Sequence, residues 1–380
     1  MFVQRRLRAL GWSMAVGLAL LAGGGAGSAR AAATPDVYEV DGVAVDVTAQ
    51  TAAAARDSAV ADGHRKAFRR LLERLTLRAD RDRLPDLSTE RIAGYVKDFS
   101  VAHEKSSATR YLASLDFRFK RDDVRRLLMD KGLPFAETFS KPVLVLPVYE
   151  EAGALLLWDT PNPWRAAWEN IPAADGLVPL VLPLGDLTDI ATIGAEQAAQ
   201  GDAQRLSAIA SRYGAGDSLV AHATKGIEPR DGMVRLDVST MRYGSAVGGQ
   251  TLIHTYAAAP GETTDSLLGR AAVEIAAEIE DDWKRDNLLQ FENPAVIAIT
   301  IPISSLQDWL AVRDRLSGVA VIRYTDVVLL SRTEVRVNLH FVGGTDQLAV
   351  ALAQADLVLT QDEAGWVLRS QRGAPAQKGS

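Results

Sequence analysis

The chain has 380 residues, with 42 Lys+Arg against 48 Asp+Glu, a formal charge of −6 and no cysteine. That acidic balance lacks the basic footprint that nucleic acid or an anionic membrane surface requires, and the missing cysteines exclude disulfides, thiol catalysis, thiolate metal sites and iron–sulfur clusters. Apolar residues make up 47% of the chain, which marks it as globular, and the length allows two or three domains with sizeable cores.

Residues 1–31 read as a secretory signal peptide: Arg5, Arg6 and Arg8, an apolar run from Leu10 to Ala22, and the small-x-small end Ala29-Arg30-Ala31. Cleavage is expected after about Ala31, with the product released into the periplasm. Losing this segment removes four arginines and no acid, taking the formal charge from −6 to −10. No lipobox cysteine follows it, and no later apolar run approaches the ~20 residues that span a bilayer, so no transmembrane anchor is expected.

Residues 34–136 read as a first unit. A strand over Val37–Thr48 leads into a long helix from about Ala52 to Leu75, with Thr51 as N-cap. Val60, Ala67, Phe68, Leu71 and Leu75 form one stripe of that helix, and Asp62, Lys66, Arg69 and Glu73 cover the other face. After a broken stretch around Pro85 come two strands, Tyr95–Glu104 and Arg110–Lys120. The second alternates Ala113, Leu115, Phe117 and Phe119 with polar residues, as a half-buried antiparallel strand does. A helix over Asp122–Asp130 closes the unit.

A second unit spans 137–290. Val143–Tyr149 and Val178–Leu184 are near-continuous apolar runs, the pattern of central strands covered on both faces. A helix over Ala203–Tyr213 is followed by strands at Ser218–Lys225, Met233–Tyr243 and Thr251–Ala257, the first pair joined through Asp231-Gly232. The helix from about Thr264 to Leu289 turns Leu268, Ala272, Ile275, Ile279 and Trp283 inward, with Glu280/Lys284 and Asp281/Arg285 as i,i+4 pairs on its exposed face.

The third unit, 291–370, has the order β-α-β-β-α-β, which is ferredoxin-like. Its elements are the strand Ala295–Ile301, a helix opened by a Ser304-x-x-Gln307 capping box with Leu306, Trp309 and Leu310 inward, the hairpin Val319–Leu330 and Thr333–Phe341, the helix Thr345–Ala355, and the pair Leu357–Thr360 and Trp366–Arg369. A polar, disordered tail is expected over 371–380. The fold class is α+β, three small helix-on-sheet units.

Histidine offers the first candidate chemistry. His64, His103, His222, His254 and His340 are scattered singly, without the i,i+4 partner of a helix-borne metal site, so no metal is expected. His64, between Val60 and Phe68, reads as a structural histidine in an apolar stripe, and His340 as a solvated residue on a polar strand face. No Gly-x-Ser-x-Gly elbow and no Ser-x-x-Lys with Lys-Thr-Gly is present. Gly214-Ala215-Gly216-Asp217 follows a helix rather than a strand and reads as a helix end. Gly343-Gly344-Thr345 reads as a plain strand-to-helix turn with Thr345 as N-cap, rather than as an anion site at a helix start. The acid pairs Asp122-Asp123, Glu150-Glu151, Asp281-Asp282 and Asp362-Glu363 are sequence neighbours on polar faces, unlike the opposed acids of hydrolases. No catalytic residue and no cofactor is expected.

One stretch stands apart. Trp158, Trp164 and Trp168, three of the seven tryptophans, fall within eleven residues beside Pro161 and Pro163. Trp158, Asp159, Asn162, Trp164, Arg165 and Trp168 are the candidate binding residues, since Trp and Arg dominate hot spots and loops after central strands carry function. The competing reading is a staple, with Asn162 capping and Pro163 opening a short helix that Trp164 and Trp168 anchor.

Three stretches carry a resemblance: Val37-Tyr38-Glu39-Val40 with Ala67-Phe68-Arg69-Arg70-Leu71-Leu72-Glu73-Arg74-Leu75-Thr76; Lys141-Pro142-Val143-Leu144-Val145-Leu146-Pro147 with Asn162-Pro163-Trp164-Arg165-x-x-Trp168; and Leu306-Gln307-Asp308-Trp309 with Gly365-Trp366-Val367-Leu368. They resemble an exported proteobacterial family, domain of unknown function 2066. The resemblance implies an exported protein and brings no catalytic residues. The first two units also look like modules of flagellar ring-stabilising and curli-type accessory proteins, the second TolB-amino-terminal-like. The expectation is therefore a periplasmic, monomeric, non-catalytic module that binds another cell-envelope protein and no nucleic acid. An envelope hydrolase with acids and a histidine gathered from different units, or a small-ligand carrier, is the alternative.

Overall fold

Alternating apolar residues build the first of three sheets. A computed structural model describes residues 36–172, 175–227, 233–244, 251–289, 294–363 and 365–371. The expected signal peptide, the Asp231-Gly232 turn and the tail beyond 371 lie outside them. The first sheet holds β1 (Glu39–Thr48), β2 (Val96–Ser106) and β3 (Arg110–Phe119) in the antiparallel order β1-β3-β2. Between β1 and β2 run α1 (Ala52–Leu75), a 3-10 turn over Arg78–Arg83 and α2 (Thr89–Tyr95); α3 (Arg121–Asp130) follows β3. Thr51 accepts the Ala54 N–H at 3.1 Å, so α1 starts where the sequence places it. α1 comes so close to the sheet that a Cβ on Gly63 would lie 2.5 Å from Leu115 Cδ1, so any larger residue would have to displace the Leu115 side chain.

The second sheet contains β4 (Val143–Glu151), β5 (Ala154–Leu156), β6 (Leu180–Val181), β7 (Asp217–Ile227), β8 (Val234–Gly244) and β9 (Thr251–Ala257). Its main path is β5-β4-β7-β8-β9; β4 runs parallel to β7 and to β6. Helices α4 (Pro163–Glu169), α5 (Leu187–Thr192), α6 (Ala195–Gln200), α7 (Ala203–Arg212) and α8 (Thr264–Asp286) surround it. The continuous apolar run of β4 is explained by burial on both faces. Val143 and Val145 join the main core, while Leu144, Leu146 and Val148 join a second cluster with Ile193, Leu206 and Ile209.

Two expectations fail here. Only Leu180 and Val181 of Val178–Leu184 form a strand, because the Glu280 carboxylate takes the Leu177 and Val178 N–H groups at 2.7 and 2.9 Å and Gly185, at φ +75°, turns the chain. For the same reason Glu280 and Lys284 are not on an exposed face: Lys284 is 2% exposed.

The third sheet has the order β11-β12-β10-β14-β13, built from β10 (Pro294–Pro302), β11 (Ile322–Leu330), β12 (Glu334–Val342), β13 (Leu357–Asp362) and β14 (Gly365–Ser370), with α9 (Leu306–Ser317) and α10 (Thr345–Gln354). β14 lies parallel to β10, and the other pairings are antiparallel. The α9 cap is one residue later than expected. Ser305 accepts the Asp308 N–H, and the Asp308 carboxylate accepts the Ser305 N–H at 2.9 Å. The register that results buries Trp309, Val312 and Leu316 and leaves Leu306 and Leu310 exposed. α10 is capped by Gly344, not Thr345, and without a side-chain bond.

One core runs from Val37 to Leu368 through all three sheets, and three buried cations cross their junctions. Arg74 donates to the Val37 and Glu39 carbonyls, both at 2.6 Å, and to Asp175 O at 3.0 Å. Arg125 grips Glu137 with two nitrogens, at 2.7 and 2.5 Å, and reaches Ala320 O; the Tyr38 hydroxyl donates to the same carboxylate. Burial, and then the charge of Glu137, push the Tyr38 phenol far above its usual pKa and keep it a neutral donor. Lys284 donates to Glu73 O and Thr76 O, at 2.9 and 3.0 Å, at the carbonyl end of α1. Replacing Lys284 by methionine strands those two carbonyls and removes the cation beside Glu280. The expected loss is about 3 kcal/mol of unfolding free energy, read from urea midpoints at constant slope.

Candidate functional site

The tryptophan loop forms a staple. The Asn162 side chain accepts the Arg165 N–H at 2.9 Å and donates towards the Leu156 and Leu157 carbonyls, and Pro163 opens α4. The Thr160–Pro161 bond is cis. Trp164 and Trp168 meet edge to face at 5.7 Å, and Trp164 Nε1 donates to Ala221 O at 2.9 Å. Both rings are buried where α4 packs on α8. An open aromatic groove would therefore lack two of its three rings, and Asn162 is buried with them. Trp158 is half-buried, its Nε1 on Ile193 O at 2.7 Å and the Arg165 guanidinium 5.9 Å over its ring. Arg165 also reaches Pro183 O, and Asp159 is exposed.

What the sequence did not bring to this surface is its neighbour, α5. Leu184, Leu187 and Ile190 are exposed there, Leu187 at 85%. Beneath them the fully buried Asp189 accepts from Gly185 N, from the Tyr213 hydroxyl and from Arg212. Arg212 also grips Asp186, the α5 cap, and this bond, followed by the Asp189 N–H, holds the Asp186 carboxyl down to about 2.

The histidines separate by partner. His64 is buried, with Nδ1 on Val60 O and its ring edge to face with Phe117, a structural role. His340, expected to be solvated, instead stacks on Tyr324 at 4.0 Å and pairs with Asp326. His222 lies 3.1 Å from Glu150. His254 Nε2 lies 3.0 Å from Glu278 in a cleft of about 370 Å³, lined also by Arg78, Tyr256, Glu274, Asp281 and Arg285. Burial, then Glu274 and Glu278, push the Tyr256 phenol up to about 12, which weakens it as a proton donor near neutral pH. Among the described residues no group of three or more His, Cys, Asp or Glu converges as a metal site.

Sheet edges form the remaining candidates, because an unpaired edge is a template for another chain. The β1 edge is sealed over its first half, where Arg74 bonds the Val37 and Glu39 carbonyls and Arg70 lies 3.4 Å from Asp41 O. β2 is interrupted at His103, at φ +53°, and carries Lys97, Asp98, Glu104 and Lys105. β13 ends in Thr360, Gln361 and Asp362, and β5 has three residues. β9 is also an outer strand, with Leu252 and Ile253 exposed. β11 has a register shift on β12 between Val327 and Leu329, yet it carries the longer exposed apolar run. Val327, Val328, Leu329 and Leu330 are consecutive and exposed, Val328 at 64% and Leu330 at 52%. No cation or proline interrupts that run.

No family model, no curated protein and no solved structure matches the chain, so the functional reading rests on these surfaces. Two outcomes follow from the tryptophan region. Trp164→Ala should cost roughly 3–5 kcal/mol, by cavity formation and an orphaned Ala221 carbonyl, measurable by chemical denaturation. The depressed Asp186 carboxyl favours the folded state above the unfolded value near 4. That contribution should fade as pH falls from about 4 towards 2, and the Asp186 carboxyl carbon should titrate near 2 by NMR, moving up in Arg212→Gln.

Proposed function

We propose that the protein is a non-catalytic assembly module of the cell envelope, working in the periplasm, that joins another envelope protein by accepting an added strand along β11. The observation that carries this reading is the run Val327-Val328-Leu329-Leu330, exposed on the outer edge of the third sheet. Natural sheets blunt such edges with charge, proline or bulges; β11 has a register shift between Val327 and Leu329 but no charge or proline within the run. A partner strand would gain main-chain hydrogen bonds along β11 and cover its apolar side chains at once. Export is supported by the basic head and apolar run of residues 1–31, and the resemblance to exported proteobacterial proteins points the same way.

Two finer fold readings belong with it. The β-α-β-β-α-β order supports a ferredoxin-like third unit, to which β14, inserted between β10 and β13, adds a fifth strand. The parallel β4–β7 pair with helices around it supports the TolB-amino-terminal-like reading of the second. The hydrolase alternative draws on the His254–Glu278 pair in its cleft.

Because the chain has no cysteine, Val328→Cys provides a unique attachment point for a photo-crosslinker. In intact envelopes it should give one discrete adduct with a different protein. Adding Leu330→Lys should abolish the adduct without moving the thermal midpoint. Amides of Val327–Leu330 should exchange more slowly in the purified complex. An adduct of twice the chain mass, or one indifferent to Leu330→Lys, would overturn the reading.

A further inference from the structure

The cleft beside His254 is sorted by charge in a way that the β11 reading does not use. Glu274, Glu278, Asp281 and Arg285 are four, three and four residues apart on α8, so they form one stripe down the helix. His254 and Tyr256 of β9 make the opposite wall, and Arg78 closes the side. At one end stand two carboxylates: Glu274, with no ion-pair partner within 4.0 Å among the described residues, and Glu278 beside His254. At the other end stand two guanidinium groups. Arg78 engages Asp281 through its backbone N–H at 3.1 Å and Nε at 3.3 Å, and Arg285 pairs with Asp282.

Tyr256 supplies the independent observation. It lines the cleft and is only 8% exposed, yet its hydroxyl has no hydrogen-bond partner among the described residues. A hydroxyl without a protein partner leaves its oxygen free to accept from a donor, and here it faces space large enough for a small ligand.

We propose that this cleft binds a small zwitterion, with its primary ammonium on Glu274, Glu278 and the Tyr256 hydroxyl and its carboxylate on Arg78 and Arg285. An ammonium has three donors and no acceptor, which suits two carboxylates and a phenol oxygen. The planar forks of arginine suit a carboxylate. Glu278 and Arg285 are separated by about 10 Å along the helix axis, so the ligand carries its charges on a spacer of several methylenes rather than on one carbon. The rings of His254 and Tyr256, 6.2 Å apart and close to parallel, offer an apolar wall for that spacer.

Isothermal titration of the full chain with 6-aminohexanoate, hexylamine and hexanoate tests this. 6-Aminohexanoate should bind saturably, and the two singly charged analogues at least about tenfold more weakly, the loss expected when a charged hydrogen-bonded group goes unpaired. Glu278→Gln, Arg285→Gln and Tyr256→Phe should each weaken 6-aminohexanoate by about the same factor, while Val328→Lys leaves it unchanged. Should Glu278→Gln fail to fold, Tyr256→Phe, which removes a single oxygen, decides the matter. Absence of saturation by 6-aminohexanoate, equal binding of hexylamine, or indifference to Tyr256→Phe would overturn the proposal. None of these outcomes bears on strand addition at β11.

Discussion

Three cations held inside the protein bind the sheets to one another through main-chain carbonyls. Arg74, Arg125 and Lys284 are buried, and each reaches carbonyls far away in sequence: Arg74 those at 37, 39 and 175, Arg125 that at 320, and Lys284 those at 73 and 76. A charge taken out of water is tolerated only where hydrogen bonds replace its hydration. These groups therefore fix where the chain segments around them must lie. The carbonyl end of α1 illustrates the point. It lies in the interior rather than in solvent, and Lys284 from α8 meets the oxygens that helix geometry leaves unpaired there. Next to it, Thr76 bridges Phe135 and Ala136 bridges Leu288, so three distant stretches converge on one helix terminus.

This junction separates interior from working surface. Because α4 and α8 close over Trp164 and Trp168, the most aromatic stretch of the chain serves packing, and the surfaces left for interaction lie elsewhere. One is the β11 edge, where exposed apolar residues coincide with unpaired backbone. The other is the α8 face turned towards β9, where charge of both signs surrounds a tyrosine hydroxyl without a partner. The two sit on different sheets and would recognise different chemistry, an extended chain in one case and a small dipolar molecule in the other.

Local patterns were legible where physics is local. The Thr51 cap, the alternation of Leu115 and Phe117, the two-sided run of β4 and the His64 stripe all follow from spacing along a few residues, and the helices and strands there lie close to where the pattern puts them. The α9 cap shows the limit of that logic. Ser304 and Ser305 both precede an acceptor at capping distance, and a shift of one residue exchanges Leu306 and Leu310 for Val312 and Leu316 in the core. Within the candidate site, Asn162 capping α4 was readable. That Asp189, Arg212 and Tyr213 would knit together under Leu187 was not, because they come from separate segments.

Composition and periodicity by themselves determined the mixed helix-and-sheet class, the order of its longer elements, and the absence of cysteine chemistry. Each of these depends only on side-chain type and near-neighbour spacing. Tertiary structure alone decided which charges are buried, which strands end as edges, and which aromatic rings keep a surface. Glu280 and Lys284 at i,i+4 look like any solvated pair until Leu177, Val178 and the end of α1 arrive from elsewhere in the chain and take their hydrogen bonds. Val327–Leu330 likewise reads as one arm of a hairpin until the order β11-β12-β10-β14-β13 leaves it outermost. Burial and pairing are properties of contacts between distant residues, and no local pattern encodes them.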